Sequence, residues 1–334
     1  MTTLLLHLGK VSSKRIFATT QWQDIRWQFE SSMRQIRHFR RLRDSPKLVQ
    51  KSFSNVHQDK GSSQSTNLLK PFCFTVLFTG ATFVGATIWE YERIRQKAQS
   101  AKVYRQFHTL RTGWRKDMEN WWNDLYEGQK VFAAICFINV LVFLCWRVPA
   151  FQGTMVQYFS SHPHARATCW PMLLSSFSHY SILHLAANMY VLHSFSASCV
   201  TALGKEQFVA LYLSSGVISG FVSHLYKASL GLRGASLGAS GAIMGILGFV
   251  CTQYPHIQLS IVFLPTYPFP AGVGIKALMI ADSVGCLLRW QYFDHAAHLG
   301  GVFWGIFWQK WGNANIWQKR DPILTFWHNF RNSR

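Results

Sequence analysis

Acidic residues are scarce in this chain, which carries 14 Asp and Glu against 34 Lys and Arg, for a formal net charge of +20. From Val131 to the C-terminus the acidic residues are Glu206, Asp282, Asp294 and Asp321. That part of the chain has too little charge to form an ordinary water-facing surface. Together with a composition that is 49% hydrophobic and 15% aromatic, this argues against a soluble globular protein.

Metal-binding cysteine pairs are also missing. The seven cysteines are scattered, mostly inside apolar runs, without a C-x-x-C pair and without a His/Cys spacing that suits zinc. They are Cys73, Cys136, Cys145, Cys169, Cys199, Cys251 and Cys286. Free, buried thiols are the expected state, and the sequence indicates no metal and no organic cofactor.

The positive charge is concentrated at the N-terminus, where residues 1–50 hold ten Lys or Arg against three acids. An acid-poor segment that contains Arg and Ser resembles a mitochondrial transit peptide, so we expect a leader over residues 1–50. A disordered basic tail is the alternative, because nothing fixes a cleavage point. The polar residues 51–70 predict a disordered linker. This placement favours anionic lipids over nucleic acid as the partner of the basic excess.

Seven apolar stretches predict membrane-spanning helices, since about 20 apolar residues cross a hydrocarbon core of about 30 Å and shorter stretches are tolerated inside a bundle. They are Pro71–Trp89, Val131–Trp146, Ile182–Val200, Gln207–Tyr226, Gly238–Cys251, Ala271–Leu288 and His295–Trp311. The predicted fold is an all-α polytopic bundle, with an extra helix at residues 71–89, a basic interfacial loop at 90–130, a six-helix core at 131–311 and a basic tail at 312–334. A solvated helix is the alternative for residues 90–130. Leu264–Pro270, with three prolines, predicts a loop.

Polar groups inside membrane spans are costly and therefore indicate function. His184 and Asn188 lie four residues apart in the third span, which places both side chains on one helical face. The fifth span opens with G-A-S-G, so Ser240 lies in its first turn, where unpaired backbone N–H groups suit an oxyanion. A serine at a helix start is more often only an N-cap.

Small residues predict that two of these spans approach closely. The seventh span contains A-H-L-G-G-V-F-W-G, in which His298 shares a face with two glycines. The predicted packing glycines of the fifth and seventh spans are Gly238, Gly241, Gly245, Gly301 and Gly305. Such faces would bring the Ser240 hydroxyl to the His298 imidazole, as base activation of serine requires. The third, fifth and seventh spans run in the same direction, so His184, Ser240 and His298 should lie at similar depth.

The ordered motifs H-x-x-x-N, G-A-S-G and A-H-x-x-G-x-x-x-G resemble those of the rhomboid intramembrane proteases over about residues 131–311. The leader, the extra helix and D-H-A-A-H-L-G-G are similar to the mitochondrial presenilin-associated rhomboid-like subgroup. The resemblance implies a Ser240–His298 dyad without a carboxylate, and an oxyanion site at His184, Asn188 and the Ser240 backbone N–H. It also implies transmembrane protein substrates and a multi-pass location in the mitochondrial inner membrane.

The sequence departs from the family pattern at two places. Met244 stands where an aromatic residue often stacks on the histidine, and the usual Trp-Arg pair is not evident just before His179. Asp294, four residues before His298, is a candidate for orienting that histidine.

Three other functional classes compete with a protease. The segment Gly234–Gly238 matches the G-x-S-x-G elbow of soluble hydrolases, but the alternating strands and helices of that fold are not predicted. A non-catalytic rhomboid-like adaptor would bind client helices, although such relatives typically lose the serine or the histidine. A solute transporter or channel would use His193, Lys276 and Asp282, which lie on scattered faces.

Overall fold

The computed structural model describes residues 68–103, 113–163, 165, 167–261, 264–290 and 292–333. The predicted leader at 1–50 and nearly all of the predicted linker at 51–70 lie outside these residues. The described helices and strands are α1 (Leu69–Val103), α2 (Trp114–Asp124), α3 (Glu127–Cys145), α4 (Gln152–Tyr158), α5 (Cys169–Leu174), α6 (Ile182–Leu203), α7 (Lys205–Leu230), α8 (Ser240–Gln253), β1 (Gln258–Ile261), β2 (Leu264–Pro270), α9 (Ala271–Leu287), α10 (His295–Phe307) and α11 (Asp321–Asn332). Short 3₁₀ turns cover Pro149–Phe151 and Ser175–Phe177.

Each of the seven predicted spans falls on a helix, namely α1, α3 and α6 to α10. By length and composition, α1, α3 and α7 are long and apolar enough to cross a membrane. Helix α8 is apolar but has only 14 residues. The all-α polytopic bundle predicted from the sequence is confirmed.

Helix α1 is longer than the predicted first span and continues to Val103, into the segment for which an interfacial loop or a solvated helix was expected. The added residues include Glu90, Glu92 and Arg95, which favour helix, and the added stretch contains no glycine or proline. Glu92 and Arg95 form an ion pair one turn apart at 3.5 Å. Helical propensity therefore carries the chain beyond the apolar run.

The proline-containing segment Leu264–Pro270 is a strand, and the prediction of a loop was wrong. It pairs antiparallel with β1, with Gln258 opposite Pro270. Both strands of a two-stranded sheet are edge strands, where a proline without an N–H group is tolerated. The hairpin leads directly into α9, since Ala271 N donates to Ile257 O at 2.8 Å.

The C-terminal tail is helical and is joined to α1. A π-helical segment, Trp308–Trp317, continues α10, and α11 follows it. Arg320 pairs with Glu90 at 2.9 Å, and Trp327 Nε1 donates to Glu92 Oε1 at 2.9 Å. These contacts give the acidic residues at the polar end of α1 partners in the C-terminal tail.

The centre of the bundle is formed by α8 and α10, which pack on each other and on α7, while α9 lies against α10. Helix α1 packs on α7, and α3 packs on α6. Buried side chains such as Phe208, Ile246 and Val302 fill the space between these helices. Helix α8 is short for a membrane span, but a short helix is tolerated when it lies at the centre of a bundle and packs on other helices.

Candidate active site

Ser240 is the first residue of α8, and its hydroxyl does not cap the helix. Ala239 occupies the N-cap position, which lacks a side-chain cap, so the simple capping role considered from the sequence does not apply. The turn before the helix is fixed by Gly238, whose φ of +134° favours glycine. Its N–H donates to Ser175 O at 2.9 Å. This backbone geometry holds Ser240 at the start of the helix.

His298 lies in the first turn of α10, and its Nε2 is 3.0 Å from Ser240 Oγ. The two side chains therefore lie within hydrogen-bonding distance. His184 is also in the first turn of its helix, α6, and Asn188 lies one turn further along. The structure thus brings together the starts of α6, α8 and α10, as their parallel directions predicted.

Four of the five predicted packing glycines lie where the helices meet. A methyl group on Gly301 would collide with the carbonyl oxygen of Gly241, and one on Gly305 with that of Gly245. The absent side chains of Gly241 and Gly245 instead make room for Ser219 and Ser215 of α7. Without glycine at positions 301 and 305, α10 could not approach α8 closely enough for the contact between Ser240 and His298.

Gly238 also lies at a close contact, but with α6. It precedes α8, and a Cβ atom there would lie 2.7 Å from Cε1 of the His184 ring rather than against α10. The glycine is needed because the imidazole of α6 is seated against the turn that leads to Ser240. Gly238 therefore allows α6 to contact the turn that precedes Ser240.

The carboxylate beside His298 is Asp282 of α9, with its Oδ1 at 3.2 Å from His298 Nδ1. The same oxygen lies 2.6 Å from Nδ1 of His295. Sequence reasoning placed Asp282 on a scattered face and missed His295. The detectable signals were a lone acid in an apolar span and the second histidine of D-H-A-A-H. Two imidazoles and a carboxylate also offer the donor atoms of a potential cation site.

Asp294 does not orient His298, contrary to the possibility raised by its position. Its Oδ1 accepts from Ala297 N at 3.1 Å and so caps α10, while Oδ2 pairs with Lys227 at 2.8 Å. Ser223 and Ser236 also donate to Oδ2. Burial alone would raise the pKa of Asp294, but Lys227 and the two hydroxyls outweigh it and lower the pKa to about 2. This network joins α7, the loop before Ser240 and the start of α10.

A fourth histidine, His179, supports the residues predicted to bind the oxyanion. Ala239 N donates to His179 Nε2 at 3.3 Å, so this nitrogen is an acceptor and the ring is neutral. Asn188 Nδ2 lies 3.1 Å from the same nitrogen and 2.9 Å from His184 O. Both amide hydrogens of Asn188 are therefore engaged, and the His184 ring stacks edge-on against His179 at 5.0 Å.

The structure also shows what surrounds the two places at which the sequence departs from the family pattern. Trp146 and Arg147, which come too early in the sequence to match the expected pair, contact the segment around His179. Trp146 Nε1 donates to Ser178 Oγ at 2.8 Å, and the Arg147 guanidinium donates to Tyr180 O at 2.6 Å. A phenyl ring near His298 is that of Phe293, at a centroid distance of 6.4 Å. It comes from the loop before α10 instead of from the position of Met244.

Comparison with known proteins supports the resemblance. The family model for the Rhomboid domain matches residues 166–311. The presenilin-associated rhomboid-like protein, mitochondrial, of Mus musculus is 48% identical over 276 residues, covering 79% of this chain and 72% of the relative. The chain belongs to the rhomboid family. The presenilin-associated rhomboid-like protein A, mitochondrial, of Danio rerio is 45% identical over 290 residues, covering 79% of this rhomboid and 76% of the relative.

A more distant relative extends the comparison. Rhomboid protein 1, mitochondrial, of Saccharomyces cerevisiae is 36% identical over 193 residues, which is 57% of this rhomboid and 56% of the yeast chain. The mitochondrial relatives and the apolar helices together show that this rhomboid is a multi-pass mitochondrial membrane protein.

Proposed function

We propose that this rhomboid is an intramembrane serine endopeptidase that hydrolyses peptide bonds in or near the transmembrane segments of membrane proteins. The observation that carries the proposal is the 3.0 Å separation of Ser240 Oγ and His298 Nε2. A hydroxyl becomes an effective nucleophile when a neighbouring base accepts its proton. Membership of the rhomboid family supports the substrate class, and the relatives support a location in the mitochondrial inner membrane.

In the proposed reaction Ser240 Oγ attacks the scissile carbonyl while His298 Nε2 accepts the hydroxyl proton. The same nitrogen then gives that proton to the leaving amine, and an ester remains on Ser240. Water hydrolyses the ester, with His298 again acting as the base. Asp282 Oδ1, at 3.2 Å from Nδ1, would hold the imidazole in the tautomer that leaves Nε2 unprotonated.

We assign oxyanion binding first to the backbone N–H of Ser240, because amides in the first helical turn have no intrahelical acceptor. His184 is the second candidate, since its ring lies against the turn before Ser240. Asn188 would have to exchange one of its two internal hydrogen bonds in order to contribute. The family implies that all three groups bind the oxyanion. Because they differ in how free they are to donate a hydrogen bond, we expect their contributions to be unequal.

Purified full-length protein in liposomes that contain anionic lipid, with a single-span membrane protein as substrate, tests this function. Wild type should cleave the substrate, and Ser240→Ala and His298→Ala should both be inactive. Ser229→Ala is a matched control, because that serine is exposed and bonds only to Tyr226 O of its own helix among the described contacts. Cleavage that persists in purified Ser240→Ala would refute the nucleophile. Binding of the substrate without cleavage by wild type would instead favour the adaptor.

A further inference from the structure

A buried group of one carboxylate and two imidazoles lies behind the proposed dyad. Donor atoms of Asp282, His295 and His298 all lie within 4.8 Å of one another. The three residues are 4%, 9% and 8% exposed, respectively. Both Nδ1 atoms approach the same carboxylate oxygen, at 2.6 Å for His295 and 3.2 Å for His298. The dyad explains His298 and one oxygen of Asp282, but it gives no role to His295.

Two polar atoms of this group have unused bonding capacity. Asp282 Oδ2 and His295 Nε2 are buried and have no hydrogen-bond partner among the residues that the structure describes. An unpaired buried polar group costs about 1–3 kcal/mol, so such groups usually have a partner or a functional reason. A ligand that binds a carboxylate and an imidazole would use this capacity.

The local backbone is built to admit the second histidine. A Cβ atom on Gly285 of α9 would lie 2.5 Å from the His295 ring, so glycine is required for the imidazole to reach Asp282. His295 and His298 are three residues apart on α10 and therefore project from the same face. Helices α9 and α10 thus present three ligand-type side chains to one another in a water-poor interior.

We propose that Asp282, His295 and His298 bind a first-row divalent cation, best matched by Zn²⁺, and that the bound ion inhibits the enzyme. Two imidazole nitrogens and one carboxylate oxygen are a ligand set that Zn²⁺ accepts, with a fourth position left for water. Asp282 supplies the negative charge, and the neutral imidazoles supply nitrogen lone pairs. Nothing in the proposed proteolytic reaction requires this ion.

Inhibition follows from the two nitrogens of His298 and rests on the proposed function. In the metal-free enzyme the Nδ1 proton faces Asp282, and Nε2 is free to accept the proton of Ser240. A cation on Nδ1 displaces that proton to Nε2, and the ring stays neutral. Nε2 then donates to Ser240 Oγ and can no longer act as the base. The metal therefore removes the tautomer on which the reaction depends.

Metal binding can be measured without activity by titrating Co²⁺ into full-length Ser240→Ala that carries no polyhistidine tag. We expect visible absorption bands that saturate at one equivalent and disappear when Zn²⁺ is added. Adding His295→Gln should weaken Co²⁺ binding at least tenfold. His256→Gln is the matched control, because that histidine is exposed beside the hairpin and outside the group, and it should leave the titration unchanged. Equal binding by the His295→Gln protein, or no saturable binding by its parent, would overturn the site.

A second measurement tests inhibition and separates this proposal from the proposed function. Zn²⁺ should slow fluorophosphonate labelling of Ser240 in the wild-type protein, a chelator should restore it, and His295→Gln should raise the inhibition constant at least tenfold. Wild-type labelling that is insensitive to Zn²⁺ would refute the inhibitory role while leaving the protease intact. Saturable Co²⁺ binding in a chain whose Ser240 is never labelled would refute the protease while leaving the metal site intact.

Discussion

Replacing Asp282 by Asn tests whether this carboxylate positions the proposed base. The substitution keeps the side-chain shape but removes the charge that faces Nδ1 of His298 at 3.2 Å. His298 becomes an imidazolium when it accepts the serine proton, and a hydrogen bond to a charged group contributes about 1.5–3 kcal/mol. At about 1.4 kcal/mol per tenfold change in rate, this range corresponds to a loss of about 10–150-fold.

The geometry places the expected loss in the lower part of that range. A separation of 3.2 Å is at the long end for an N–H···O hydrogen bond, and Asp282 Oδ1 is shared with His295 at 2.6 Å. We therefore expect Asp282→Asn to lower kcat about 10–30-fold, with little change in KM, because the lost interaction forms fully only in the transition state. Initial rates of substrate cleavage in liposomes would measure both constants.

Asp294→Asn is the matched control, since it alters a second partly buried acid near His298 that bonds to Lys227 and to the Ala297 amide of α10. It should lower thermal stability and leave the kcat of the folded fraction near the wild-type value. Turnover of Asp282→Asn within twofold of wild type would refute the positioning role. A tenfold loss of kcat in folded Asp294→Asn would show that the assay does not separate the two acids.

Three further outcomes follow from the packing and charges. Gly301→Val should push α10 away from the Gly241 carbonyl, costing about 1–3 kcal/mol and most of the activity. Gly153→Ala, at a helical position that faces open space, should not lower the melting temperature or the rate. Asp294→Asn should destabilise the protein by about 2 kcal/mol near pH 7, measured by thermal unfolding in detergent. Because the folded-state pKa of Asp294 lies below its unfolded value, its contribution is full above about pH 4 and is lost as the pH falls towards 2. The wild-type protein should therefore lose more stability over that interval than Asp294→Asn.

The helices were predictable where apolar residues run continuously, because a chain segment that crosses lipid must be both apolar and helical. The end of α1 was not predictable, since Glu90 and the residues after it are mostly polar and such a helix has little apolar periodicity to identify it. The strand at Leu264–Pro270 was also not predicted, because its three prolines indicate a break in regular structure. Prolines are tolerated there because an edge strand needs no N–H group on its outer side.

The site was predictable as far as local motifs determine it. Ser240 and His298 were identifiable from glycines on their own helices, whereas Asp282 meets His298 across two helices and has no local motif. Asp294 is the opposite case, because its spacing to His298 suggested a contact that does not form. Its backbone, with φ −86° and ψ 74°, is not helical, so the four-residue spacing to His298 does not place the two side chains on one face.

Whether His298 activates Ser240 is tested most directly by mapping the adduct of a fluorophosphonate probe on the purified, membrane-reconstituted chain by peptide mass spectrometry. We expect a single modified serine, Ser240, with labelling reduced by orders of magnitude in His298→Ala and unchanged in Ser229→Ala. Modification of a different serine, or equally fast labelling of Ser240 in His298→Ala, would contradict the base-activated nucleophile.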